Sequence, residues 1–193
     1  MTEVNEKTEE GVFPFIEGNT IDLVASNSKW ANLLCKWSND PRVRHYARNV
    51  WPNTLENVKK WFEPASERGA IDFIIFIIYH KKDKKPIGNV GLSRINWLNR
   101  NANIFALIGF PEYWGRGIAG EAAELVIKYG FTELNLHKIY CGVYDPNKRS
   151  LRAAEKLGFK EEAVLKEEIY VDGKYADEHK FALFKEEWLE RNT

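Results

Sequence analysis

Cysteine is scarce in this chain: Cys35 and Cys141 are the two among 193 residues, far apart and without metal-ligand spacing. That scarcity excludes a disulfide framework and a zinc module, and it fits buried thiols of a reduced compartment. Excess charge is missing too, since 28 Lys and Arg balance 28 Asp and Glu. Nothing global therefore draws the chain to nucleic acid or to an acidic membrane surface, and neither is expected as a partner. Long apolar runs are also lacking. The longest, Phe73 to Tyr79, has the length of a strand and falls far short of a bilayer span. Met1 to Glu10 is polar and acidic with no apolar stretch behind a basic start, so no ordinary secretory signal is expected and a cytoplasmic protein is. No internal repeat or low-complexity linker interrupts the sequence.

What is present is an average globular balance, 44% apolar and 29% charged, in a length that favours one domain with a sizeable core. Seven Trp supply packing mass for that core. Residues 1–18 read as a weakly ordered polar leader and residues 19–191 as the domain. A short strand at Ile21 is followed by a helix that Ser28 can cap, with Trp30, Leu33, Leu34 and Trp37 on one face. Asn39-Asp40-Pro41 ends it and opens a second short helix, and Asn53-Thr54 introduces a third. The period then changes. Ile71 to Tyr79 reads as a fully buried strand, Ile87 to Ile95 as its hairpin partner, and Asn103 to Phe110 as the next. Lys81, Lys82, Lys84 and Lys85 read as a solvated hairpin tip.

A helix from Gly117 to Leu134, a strand from His137 to Val143, and a helix capped by Asp145, started by Pro146 and stopped at Gly158 come next. Two last strands, near Val164–Val171 and Glu178–Phe184, flank the hairpin turn Asp172-Gly173. The expected class is α+β or mixed α/β, a mostly antiparallel sheet flanked by helices.

Chemistry concentrates where the strand at 103–110 runs into Phe110-Pro-Glu-Tyr-Trp-Gly-Arg-Gly-Ile-Ala-Gly-Glu121. A Gly-rich turn opening a helix exposes unpaired backbone N–H groups at a positive helix end, which suits a pyrophosphate. Gly115, Gly117 and Gly120 permit close approach, and Arg116 supplies charge. No Gly-Lys-Ser/Thr follows, so this is no P-loop, and the glycine spacing is not that of a dinucleotide fingerprint.

With Tyr-Trp-Gly-Arg-Gly-Ile-Ala-Gly-Glu-Ala at 113–122, Leu-Asn-Leu-His-Lys-Ile-Tyr at 134–140, and Asn147-Lys-Arg-Ser150 followed by Lys-Leu-Gly-Phe at 156–159, residues 20–190 resemble the GNAT acetyltransferase superfamily. The likeness is to its branch of ribosomal-protein N-terminal and spermidine acetyltransferases. The resemblance implies a GNAT fold whose twisted sheet splays between the fourth and fifth strands of this reading. It implies acetyl-CoA as cosubstrate and no metal, with the pyrophosphate on the amides of Gly115, Arg116, Gly117, Ile118, Ala119 and Gly120. It further implies that Leu107, Ile108 and Gly109 pair their backbone with pantetheine, one amide polarising the thioester carbonyl, and that Asn147 contacts pantetheine. Lys148, Arg149 and Arg152 lie where the 3′-phosphate would be met.

The pattern departs from the family at two positions. Ile104 stands where many members carry a glutamate base, and Ala154 where many carry a tyrosine acid. Ser150 is then the candidate to hydrogen-bond the departing sulfur. For the base, Glu167 and Glu168 lie on the penultimate strand; Glu168 is the candidate, with a water chain and no single base as the alternative. None of the four His has positional support as a base.

The acceptor is expected to meet Asp40, Arg42, Arg44, Trp51 and Glu56 on one side, and Asp172, Tyr175, Asp177 and Glu178 on the final hairpin. These suit a small primary amine, either a polyamine or an amino sugar. A protein N-terminus is the first alternative acceptor, and a non-catalytic acetyl-CoA-binding module is the alternative to an enzyme. The late hairpin could also pair two subunits into a homodimer.

Overall fold

Runs of β-branched residues broken by short turns build one sheet. The computed structural model describes residues 12–47, 50–62 and 71–192. Its strands are β1 (Pro14–Glu17), β2 (Ile21–Ala25), β3 (Phe73–His80), β4 (Lys85–Asn96), β5 (Asn101–Ile108), β6 (Lys138–Tyr144), β7 (Lys160–Val171) and β8 (Lys174–Phe184), in the order β1-β2-β3-β4-β5-β6-β8-β7. Every pairing is antiparallel except β5 with β6. That parallel pair holds for only Asn101↔Lys138, Ala102↔Ile139 and Asn103↔Tyr140, after which the strands part. The splay expected between these two strands is therefore present.

Helices cover both faces: α1 (Ala31–Asn39), α2 (Pro41–Ala47), α3 (Leu55–Lys59), α4 (Ile118–Thr132), α5 (Lys148–Lys156) and α6 (Lys185–Asn192). The amphipathic α4 lays Ala122, Val126, Ile127 and Phe131 on Phe76, Ile78, Val90 and Leu92, the larger core. On the opposite face Leu34, Trp37 and Val58 of α1 and α3 pack over Ile75, Ile77 and Leu107. No helix among the described residues is long and apolar enough to cross a membrane.

Several local expectations are corrected. Residues 1–11 of the expected leader lie outside the described residues, but Pro14–Glu17 is a strand. It is ordered because Phe15 stacks on Phe76 at 5.4 Å and meets Tyr129 edge-on at 5.6 Å. Ile71 is half exposed, and the buried strand starts two residues later. Asn27, not Ser28, caps the first turn, accepting from the Lys29 amide at 2.9 Å. Asn147 likewise replaces Asp145 as the cap of α5, its Oδ1 accepting from Ser150 N at 3.2 Å. The basic hairpin tip is not wholly solvated. Lys81 Nζ bonds Gly18 O at 2.6 Å and pairs with Asp22 at 3.1 Å, while Lys85 lies over the Phe110 and Tyr113 rings.

One carboxylate ties the N-terminal hairpin to the start of α4. Glu121 Oε1 accepts from the amides of Asn19 at 2.7 Å and Thr20 at 2.8 Å, and its Oε2 accepts from the Thr20 hydroxyl. Burial alone would raise the Glu121 carboxyl, but the bonds from Thr20, Ile21 and Asn19 outweigh it and hold the group below its ordinary range. A depressed carboxyl stabilises the fold above its unfolded value and loses that contribution as pH falls through the folded one. Glu121→Ala is expected to cost about 2 kcal/mol, lowering Tm by about 4–8 °C at pH 7 in thermal denaturation. The gap between the two proteins is expected to narrow as the pH is taken below the ordinary glutamate range.

Candidate functional site

Pro111 stops β5, and a 3-10 turn at Pro111–Tyr113 leads into two left-handed glycines, Gly115 at φ 76° and Gly117 at φ 79°. Gly117 caps α4 without a side-chain bond. The first amides of α4 are thus left for another acceptor. A Cβ added at Gly115, Gly117 or Gly120 would meet nothing within 4 Å, so open space lies over this run of amides. Such a cradle fits a pyrophosphate. The β3–β4 hairpin braces it: Tyr113 donates its hydroxyl to Asp83, which is held below the usual carboxylate range by that bond while the phenol is pushed up. The Arg116 guanidinium rests 5.4 Å from the Tyr113 ring.

From the cradle a cavity of about 780 Å³ runs through the β5/β6 gap to the α1–α3 face of the sheet. Ala119, Gly120, Asn147, Ser150 and Ala154 line its α4–α5 side, and Trp61, Phe73, Ile75, Asn89 and Phe105 its other side. The expectation for Leu107, Ile108 and Gly109 narrows to Ile108. Gly109 N–H donates to Ile87 O at 2.9 Å, and by ladder alternation Leu107 also turns its amide to β4, opposite Asn89. Ile108 faces the gap, where its carbonyl accepts from Trp114 Nε1 at 2.9 Å. Gly109 serves packing, since a Cβ there would overlap the buried Trp37 indole.

Asn147 and Ser150 both line the cavity, but the Asn147 carbonyl oxygen is already engaged by the Ser150 amide. Ile104 and Ala154 line it as well, so no carboxylate or phenol projects from those two positions. Arg149 lies 5.3 Å from the Trp114 ring and 5.9 Å from that of Tyr46, linking α5, the turn and α2 across the mouth. Burial pushes the Cys141 thiol up to about 12, so this cavity-lining sulfur stays protonated near neutral pH and is a poor nucleophile.

Glu168 is not brought to the cavity. It lies exposed in the irregular part of β7 between Leu165 and Ile169, where Glu167 takes a left-handed φ of 53°. That bulge breaks the alternation on which its orientation rested. Asp177 is engaged by Lys166 Nζ at 2.7 Å and by the Glu167 amide at 3.0 Å. Glu178 is not itself in the cavity wall but lies beside Gly142, which is. It stands over Gly142, where a Cβ would overlap it, and pairs with Lys180 at 2.8 Å. In the 40–60 segment, Asp40 pairs with Arg42 at 2.7 Å and Trp51 is 81% exposed. Tyr46, Trp61 and Asn89 were not anticipated as site residues. The signal available for Asn89 was a polar residue inside the otherwise apolar 87–92 stretch of β4. Among the described residues no cluster of His, Cys, Asp and Glu could hold a metal ion.

Gly109→Ala is expected to destabilise the protein by about 3 kcal/mol, because the buried Trp37 indole has no room to retreat. Urea unfolding checks this, and combining the change with Trp37→Leu is expected to recover part of the loss.

Residues 23–160 match the model of the acetyltransferase (GNAT) domain family. The chain is similar to the spermidine N(1)-acetyltransferase of Escherichia coli K12, 38% identical over 55% of this chain and 57% of that protein. The alignment thus spans little more than half the length of that curated relative. It is also similar to the uncharacterized N-acetyltransferase p20 of Bacillus licheniformis, 31% identical over 82% of this chain and 89% of that one. Among solved structures, the spermidine N-acetyltransferase of Vibrio cholerae in complex with CoA and spermine superposes with a TM-score of 0.79 at 26% identity, covering 88% of this chain and 98% of that one.

Proposed function

We propose, since this chain belongs to the GNAT acetyltransferase family, that it moves an acetyl group from acetyl-CoA to the primary amine of a small molecule. The observation that carries this reading is the open amide cradle at Gly115–Gly120, continuous with a cavity through the β5/β6 gap. Acetyl-CoA supplies an activated acyl group as a thioester. The amides of residues 115–120 hold the pyrophosphate, with Arg116 adding charge. Arg149 is placed at the mouth for a phosphate. The Ile108 amide, facing the gap, stabilises negative charge on the thioester oxygen. Ser150, on the α5 wall, donates a hydrogen bond to the departing sulfur.

An alkyl amine with a pKa of about 10 costs about 4 kcal/mol to deprotonate near pH 7. Glu178, next to the cavity-lining Gly142, is the carboxylate assigned to take that proton or hold a second ammonium. Polyamines are the favoured acceptors. Two of the similar proteins carry spermidine in their names, and the aromatic walls at Trp61, Phe73 and Phe105 suit a methylene chain. Amino sugars rank next, then protein N-termini. The apolar side chains of Ile104 and Ala154 in the cavity wall favour one competing reading, a module that binds acetyl-CoA without turnover. We place the protein in the cytoplasm and, through the exposed Tyr170 and Tyr175 of the β7–β8 hairpin, in a homodimer.

Release of CoA thiol from acetyl-CoA, screened over polyamines, amino sugars, amino acids and short peptides, tests this. Turnover with polyamines, lost in Gly117→Trp, is the expected result, and CoA binding without turnover across the panel would favour the module. Ser150→Ala is expected to lower kcat by about 100-fold with the dissociation constant for CoA unchanged.

A further inference from the structure

A buried side-chain amide is nearly always hydrogen-bonded, because stripping it of water without a partner is costly. Asn89 makes no such bond among the described residues, and its amide atoms keep access to open space instead. It lies in the apolar 87–92 stretch of β4 and is only 8% exposed. What exposure remains opens into the cavity. Three other polar side chains of the cavity are committed. Ser38 Oγ donates to Leu34 O at 2.8 Å, Asn103 Nδ2 to Ser93 Oγ at 3.0 Å, and the Tyr144 hydroxyl to His45 O at 2.8 Å.

Register fixes where this amide works. Asn89 stands directly opposite Leu107 and shares its face of the sheet, one residue from Ile108, whose backbone turns to the gap. Beside it the Phe73 and Phe105 rings stack at 5.5 Å with 5° between planes. None of the described residues lining the cavity is charged. An ammonium entering there would lose water with no counter-charge among the described lining residues, which favours the neutral amine.

We propose that Asn89 receives the acceptor as a neutral primary amine on a methylene chain. Its Oδ1 accepts an N–H from the amine and so turns the nitrogen lone pair toward the carbonyl held at Ile108. This rests on the acetyl-transfer reading and adds to it the residue that orients the acceptor. A neutral amide fits the task where a carboxylate would not. A charged partner would hold the amine protonated and bind it without reaction.

The test compares the full-length protein with Asn89→Leu and Asn89→Asp. Three quantities are read: the ligand-free Tm, the further rise in Tm when spermidine or butylamine is added to CoA-loaded protein, and steady-state kinetics. Asn89→Leu is expected to match or exceed the wild-type ligand-free Tm and to bind CoA unchanged. It is expected to lose the amine-induced rise and at least about 30-fold in kcat/KM. Asn89→Asp is expected to keep the amine-induced rise while kcat falls at least about 10-fold. A wild type without any amine-induced rise overturns the proposal. So does an Asn89→Leu protein that keeps the rise, stays within about threefold of wild-type kcat/KM, or melts well below wild type without ligand. A rise present in the wild type and lost in Asn89→Leu, with no CoA released for any amine, would retire acetyl transfer and leave Asn89 as an amine-binding residue.

Discussion

Backbone N–H and C=O groups buried in protein must find partners, and β5 and β6 stop supplying them to each other after three residue pairs. Everything of interest lies around the resulting gap. Toward β4 the ladder stays intact through Gly109, so β5 is held rigidly along one edge while the other opens. On the open side the Ile108 carbonyl is taken by the Trp114 indole, a residue of the very turn that follows the strand. The turn therefore does two things at once. It closes part of the gap with a side chain and presents its own amides to the space beyond.

Those amides would be of little use on a loose loop. The start of α4 is tied down from the N-terminal hairpin through Glu121, and the residues before the glycines are tied to the β3–β4 hairpin through Tyr113 and Asp83. Both ties reach across the chain to strands laid down long before the turn. Preorganisation of this kind matters because a group that binds through backbone donors gains most when the donors need no rearrangement.

Much of this was legible in the sequence, and for definite reasons. Strand and helix periods, the Asp172-Gly173 turn, the Gly158 stop and the Gly-rich turn are local signals, written in residues close to one another. The GNAT resemblance rested on three such local motifs. What was not legible depends on through-space detail. Ser28 and Asp145 looked like caps, yet Asn27 and Asn147 do the capping, a shift that rests on which side chain reaches which amide. Glu168 was placed by simple alternation, and a bulge that no residue type announced moved it out to solvent. Glu178 was one of four acceptor candidates on the final hairpin, singled out only by a glycine on the neighbouring strand, and Asn89 owes its placement to the opposite register of β5.

The contact between Gly109 and Trp37 has a consequence for how such a chain can change over generations. The two residues sit 72 positions apart, one at the end of β5 and one in α1, and the indole fills the space that any side chain at 109 would need. A lineage can therefore trade Gly109 for a larger residue most easily after Trp37 has shrunk, while the reverse order passes through a destabilised intermediate. Drift at this pair is ordered. Helix α1 is thereby tied, in evolutionary time, to the end of β5 at the edge of the gap.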